Sequence, residues 1–230
     1  MIGGKTVLAV IPARGGSKRL PNKNILDLAG KPLITWSIKA GIKSEYIDKV
    51  VVSSDSDDIL NISQKNGADI IKRPKDLASD KATSFDAIKH TIENINESFD
   101  YVILLQPTSP LRNDIHIDEA LELFFKKKAN AVISVCETDH SPLWSNTLPK
   151  DGSMERFIDD KIKNLRSQDF PTYYRLNGAI NICRTDKLLE EKTFFIKDNI
   201  YAFKMDRESS VDIDEKIDFQ LAKLMIEKEN

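Results

Sequence analysis

Five apolar residues without a polar interruption, Val7-Leu-Ala-Val-Ile11, run directly into Pro12-Ala-Arg-Gly-Gly-Ser-Lys-Arg-Leu-Pro-Asn-Lys-Asn24. A strand with one face in water alternates apolar and polar side chains. A continuous apolar run is instead the signature of a strand covered on both faces, as in a parallel sheet between helices. The segment that follows is rich in Gly, Ser and cations. Gly15 and Gly16 let backbone N–H groups turn inward with no Cβ in the way, which makes an anion-binding nest. Arg14, Lys18, Arg19 and Lys23 place four cations on the same loop, and with Ser17 they give a strand tip suited to a triphosphate.

Two better-known phosphate loops do not fit. Gly30-Lys31 is followed by Pro32 rather than Ser or Thr, which excludes a Walker A loop, and Gly15-Gly16 lacks the Gly-x-Gly-x-x-Gly spacing of a dinucleotide fold. The basic loop stands against a net charge of −2, a balance that argues against a nucleic-acid partner or an anionic membrane surface. With 230 residues, 40% hydrophobic and 30% charged, the chain suits one α/β domain with room for an insertion. Cys136 and Cys183 are too few for a disulfide scaffold and lack metal-ligand spacing. The short apolar run at the N-terminus, broken by Pro12 and Arg14, reads as neither leader nor membrane span, so a cytoplasmic protein is expected.

Strand-like and helical segments alternate along most of the chain. Strands are predicted at Val7–Ile11, Lys49–Ser53, Ala68–Ile71, Tyr101–Leu105, Ala131–Cys136, Asn177–Ile182 and Ile200–Met205. Helices are predicted at Leu33–Ile42, from an N-cap at Ser56 to Asn66, and at Ser84–Ile95, Asp114–Lys127, Asp186–Glu191 and Asp214–Lys228. Such alternation predicts an α/β fold with a doubly wound, mostly parallel sheet. Between about 139 and 175 the pattern breaks. That segment is polar, holds three of the nine prolines and carries the turn signal Lys150-Asp-Gly-Ser153, and is expected to be an insertion with its own hairpin, a lid or a dimerisation arm.

Ligands of open α/β sheets bind beyond the carboxyl ends of the strands. Asp212 and Asp214 follow the last strand, two residues apart, where extended geometry points both carboxylates one way. Hard oxygen donors facing a phosphate loop suit Mg²⁺ shared with substrate phosphates; Asp214 alone would read as a helix-capping acid. Gln106-Pro-Thr-Ser-Pro-Leu-Arg112 sets an amide, two hydroxyls and a guanidinium on a proline-stiffened loop, a candidate for base or sugar recognition. Arg166, Arg175 and Asn177 lie around the far end of the insertion, and arginine suits a carboxylate or a phosphate, although most single arginines are surface cations. Phe194-Phe195 reads as core, or as an apolar wall if a sugar lies near.

Several motifs together resemble the bacterial CMP-sialic acid synthetases, the N-acylneuraminate cytidylyltransferases. They are Ile11-Pro-Ala-Arg-Gly-Gly-Ser-Lys18 with Asn22-Lys-Asn24, Val51-Val-Ser-Ser-Asp55, Arg73-Pro74, Ser84, Leu105 to Arg112, Arg175 with Asn177-Gly-Ala-Ile180, and Ser209-Ser-Val-Asp-Ile-Asp214. The resemblance implies a Rossmann-like nucleotidyltransferase that moves CMP from CTP onto the anomeric 2-hydroxyl of a nine-carbon 2-keto sugar acid, with Mg²⁺ or Mn²⁺ and release of pyrophosphate. It implies that Arg14, Gly15, Ser17 and Lys18 hold the triphosphate, that Asn24, Arg73, Ser84 and Gln106 lie at the nucleotide or its edge, and that Asp212 and Asp214 take the metal. It further implies that Gln106, Arg166, Arg175, Asn177, Phe194 and Phe195 attend the sugar, and that the chain is a homodimer whose β-rich insertion reaches the partner's site.

Trp144 and Asn181 depart from the expected lysine and tyrosine on the sugar side. Legionaminic and pseudaminic acid therefore stand beside N-acetylneuraminate as substrates. A nucleotidyltransferase acting on a sugar 1-phosphate and a non-catalytic CTP-binding domain are the remoter readings.

Overall fold

The computed structural model describes residues 1–229. In chain order its strands and helices are β1 (Val7–Pro12), β2 (Asp27–Leu28), β3 (Lys31–Pro32), α1 (Leu33–Lys43), β4 (Lys49–Ser54), α2 (Asp57–Lys65), β5 (Asp69–Lys72), α3 (Ser84–Asn94) and β6 (Tyr101–Leu105). There follow α4 (Asp114–Lys127), β7 (Ala131–Glu137), β8 (Tyr174–Arg184), α5 (Thr185–Glu191), β9 (Ile200–Met205) and α6 (Lys216–Glu229). Seven strands form one sheet in the order β5-β4-β1-β6-β8-β7-β9, and only β8 runs antiparallel to its neighbours. The expected doubly wound, mostly parallel sheet is what the chain builds.

β1 shows why its sequence lacks alternation. Val7, Ala9 and Ile11 enter the layer under α1 and α4, with Ile34, Ile38, Leu121 and Phe124. Leu8 and Val10 enter the opposite layer, with Ile88 of α3 and Leu188 of α5. Both faces are buried, so every position is apolar, and each such side chain contributes on the order of 1.5–3 kcal/mol. A charge at Val10 would have no escape to water on either face.

Chain order places the site. From β1 the chain moves outward through β4 to β5, then crosses back to β6 on the other side of β1. Strand order therefore reverses at β1 and β6, the position where an open α/β sheet forms its ligand crevice. α3 begins with a capping box between Thr83 and Asp86, and α4 with the equivalent pair Asn113 and His116. At α2 the expected Ser56 side-chain cap does not form; the Ser56 N–H instead donates to Ser54 Oγ at 3.1 Å.

The segment between β7 and β8 corrects an expectation. Its described residues hold no strand or hairpin, only 3-10 turns at Pro142–Trp144 and Ser167–Asp169, so the insertion is not β-rich. The small antiparallel pair of the molecule is β2 with β3 instead. Backbone N–H groups in the insertion close on nearby carbonyls, Gly152 on Pro149 and Phe157 on Met154, so the chain curls locally rather than pairing. Leu148, Met154 and Leu165 remain exposed, and the ring contact of Trp144 with Phe170, at 5.2 Å, ties the two ends together. β8 starts earlier than the sequence indicates, at Tyr174, because it pairs with β7 through Glu137.

Candidate active site

A cavity of about 430 Å³ opens beyond the tips of β1 and β6, lined by Arg14, Ser17, Lys18, Lys23, Asn24, Ser84, Gln106, Thr108 and Asp214. The loop after β1 and the loop after β6 thus face each other across the crevice, as the sequence leads one to expect. None of the three histidines lines it.

The basic loop is held by carboxylates. Arg14 Nη1 and Lys18 Nζ both meet Asp80, at 2.8 and 2.5 Å. Hydrogen bonds from Lys18 and then Arg14 hold the Asp80 carboxyl below its ordinary range. Arg19 pairs with Asp214 at 3.0 Å. Lys23, almost fully buried, donates to the Ile213 carbonyl at 2.5 Å and to Asp214 Oδ1 at 3.3 Å, which locks the β1 loop to the segment that carries the acids.

Gly15 corrects the nest reading: its N–H donates to Asp55 Oδ1 at 2.9 Å. A Cβ at Gly15 would lie 3.0 Å from the Ser56 Cβ, so the glycine serves a close approach of two strand tips. Asn24 donates from Nδ2 to the Arg14 carbonyl at 3.0 Å, while its buried Oδ1 has no hydrogen-bond partner among the described residues. Arg73, expected at the nucleotide, does not line the cavity. It is buried behind the loop, where burial lowers its pKa and the Asp55 charge works the other way.

On the β6 loop only Gln106, Pro107 and Thr108 face the cavity. Ser109 and Arg112 are buried, which corrects their place in a recognition loop. Gly178, at φ +72°, lets β8 pass so close that an added Cβ would lie 2.9 Å from Gln106 Oε1.

Asp212 and Asp214 differ in surroundings. Burial raises the Asp212 pKa; Thr108 acts against that through a hydrogen bond, and the Asp214 charge adds to it. Asp212 lines the adjoining cavity with Asp139, Arg175 and Arg207. Asp218, a conceivable third acid, accepts from the N–H groups of Asp214 and Glu215 at 3.0 and 2.7 Å and so caps α6. No group of three or more His, Cys, Asp or Glu among the described residues forms a metal site. Only Asp214 lines the cavity beside the cationic loop, paired there with Arg19 and Lys23, so the two carboxylates do not face one cavity as expected; as hard oxygen donors each remains of the type that suits Mg²⁺.

The sugar-side residues are not gathered in the same cavity. Arg175 is exposed beside Asp212. Arg166 lies out on the insertion, bonded through Nε to Asp169 at 3.2 Å. Asn177 is 2% exposed and wholly committed inside the protein. Its Oδ1 accepts from Ser134 Oγ and the Ala179 N–H, and its Nδ2 donates to Ser210 Oγ at 2.9 Å and to Met205 Sδ. Asn177 thus secures the turn that leads into Asp212, and its side chain does not line the Arg14 cavity. Phe194 is a core residue, 7% exposed, packed with Leu104, Ile133 and Cys183, and Phe195 is 57% exposed; neither lines the cavity. Sequence reasoning missed Asp80 and the partners of Lys23. Nothing local marks Asp80, whereas Asp55 ends a strand run and carried a positional signal.

Residues 8–229 match the family model for cytidylyltransferases. The chain is 40% identical to the N-acylneuraminate cytidylyltransferase of Escherichia coli O18:K1:H7 over 225 residues, covering 97% of this chain and 53% of that protein. It therefore spans about half the length of that curated relative. It is 35% identical to the CMP-N,N'-diacetyllegionaminic acid synthase of Legionella pneumophila, covering 96% of each chain. The solved structure of a CMP:2-keto-3-deoxy-manno-octonic acid synthetase complexed with CTP shares the fold, with a TM-score of 0.75, 18% identity, and coverage of 98% of this chain and 100% of that one.

Proposed function

We propose that this chain, which belongs to the cytidylyltransferase family, transfers CMP from CTP to the anomeric 2-hydroxyl of a nine-carbon 2-keto sugar acid and releases pyrophosphate. The observation that carries this reading is the convergence of Arg14, Lys18 and Lys23 with Gln106 and Asp214 on one cavity at the strand-order reversal.

The chemistry follows from those groups. The sugar hydroxyl oxygen forms a bond to the α-phosphorus, the bond from that phosphorus to the bridging oxygen breaks, pyrophosphate leaves, and the hydroxyl proton passes to solvent. Phosphoryl transfer of this kind needs positioning and charge neutralisation more than covalent help. Arg14 and Lys18 stabilise charge on the departing pyrophosphate. Gln106 supplies an amide for the base or the sugar. Asp212 and Asp214 would hold Mg²⁺, which neutralises phosphate charge and lowers the hydroxyl pKa when bound.

The chain acts as a homodimer in this reading, with Arg166 of the insertion meeting the sugar carboxylate at the other copy's cavity. Leu148, Met154 and Leu165 are exposed on the insertion and so are available to pack against a second copy. Sialic acid and its diamino relatives, legionaminic and pseudaminic acid, are the substrate set.

The test is pyrophosphate release from CTP with Mg²⁺, running N-acetylneuraminate, legionaminate and pseudaminate in parallel. Release with one of them, abolished by EDTA, is expected. Binding of CTP without release with any of the three would overturn the assignment in favour of a sugar 1-phosphate acceptor or a non-catalytic domain.

A further inference from the structure

Arg112 is 1% exposed, and among the described residues no acidic side chain pairs with it and its Nε and Nη1 have no hydrogen-bond partner. Its one side-chain bond runs from Nη2 to Ser37 Oγ of α1, at 2.7 Å. Ser37 Oγ in turn donates to the Gln106 carbonyl at 3.1 Å. A buried, unpaired guanidinium is a net cost to folding, and an apolar side chain of similar length would remove that cost. The chain carries it at the one place where it ends on the backbone of a cavity residue. The Gln106 side chain lies against Gly178 of β8, where a Cβ would come within 2.9 Å of its Oε1, so β8 packs directly on this residue.

We infer that Arg112 is a positioning residue that acts through Ser37 to fix the Gln106 carbonyl, and with it the β6 tip against which the nucleotide binds. The inference rests on the proposed function for the identity of the ligand, while the relay itself has a ligand-independent readout. The bond from Nη2 polarises the Ser37 hydroxyl, so the hydroxyl donates to Gln106 from one fixed rotamer.

The experiment compares Arg112→Met, Ser37→Ala and the double variant with the unmodified protein. For each, amide hydrogen exchange at 106–109, CTP binding by calorimetry and the melting temperature are read. Both single variants are expected to speed exchange at those amides and to weaken CTP binding by about tenfold. The Arg112→Met melting temperature is expected to be unchanged or raised, and the double variant no worse than the weaker single one. CTP affinity within twofold of the unmodified protein, with unchanged exchange, would overturn the relay. So would a lowered melting temperature with affinity lost only in proportion to the unfolded fraction. Failure of the unmodified protein to bind CTP would refute the functional reading instead, and exchange at 106–109 would still judge the relay.

Discussion

Asp80 closes on Arg14 at 2.8 Å, and the same carboxylate takes Lys18 at 2.5 Å. In the free protein an acid thus occupies the partners proposed for the triphosphate. All three side chains are well exposed, so the contacts are weak individually and yield to a ligand of higher charge. Asp80→Asn removes the competitor and is expected to lower the KM for CTP by about threefold at low salt, with kcat unchanged. A raised KM would instead show that Asp80 shapes the loop before the nucleotide arrives.

Asp212 is the acid that burial most affects in the site, and Asp214 adjoins it. If the pair holds the metal, Asp212→Ala is expected to reduce turnover by about 10²–10³-fold while the CTP dissociation constant stays within about threefold, because Arg14 and Lys18 still grip the phosphates. Normal turnover in this variant would remove the metal assignment.

Asn177 ties β8 to β7 through Ser134 and to the turn before Asp212 through Ser210. Asn177→Leu leaves the Ser134 O–H and the Ala179 N–H without their acceptor and takes a donor from Ser210, which keeps its bond to the Asp206 carbonyl, at a cost of about 2–4 kcal/mol. A fall in melting temperature of roughly 5–10 °C is expected for a chain of this size. Retained stability combined with lost sugar affinity would instead favour a role at the sugar.

The parallel strands were legible because their residues satisfy two buried faces at once: β1 and β6 are apolar almost throughout, and β4 is apolar over Val50, Val51 and Val52. The cavity-lining loops were legible because they follow those strands. What the sequence could not give was direction. Arg112 and Asn177 are polar residues in polar-looking surroundings, and only tertiary contact decides that one turns inward to Ser37 and the other spans β7 and Ser210. The insertion misled for a related reason: turn residues mark where a chain bends and do not specify whether the flanks pair.

Burial, reinforced by the Asp186 and Glu191 charges, pushes the Cys183 thiol up from its ordinary 9.0 to about 12. The thiol stays protonated in the fold while an unfolded chain ionises near its ordinary value. Stability is therefore fully present below about pH 9 and declines as pH rises from there toward 12, by at most about 1.4 kcal/mol per pH unit. Urea unfolding at pH 9 and 10.5 is expected to show the unmodified protein losing about 1.6 kcal/mol more than Cys183→Ala. Equal losses would mean that the thiol ionises as freely folded as unfolded.

Arg166 gives the test of dimeric action. Its side chain lies on the insertion, bonded to Asp169, and Arg166 is not among the residues that line the Arg14 cavity. If Arg166 acts at the partner's cavity, Arg166→Ala and Arg14→Ala are each inactive for different reasons. A mixed dimer then holds one cavity with an intact Arg14 facing an intact Arg166. Equal mixing with random exchange makes half the dimers mixed, each with one working site of two, so about a quarter of the unmodified activity is expected to return. An arginine acting within its own chain would leave both cavities of the mixed dimer defective. Activity measured after co-refolding the two variants decides between these arrangements: recovery requires the crossed one, and none is compatible only with a site completed in cis.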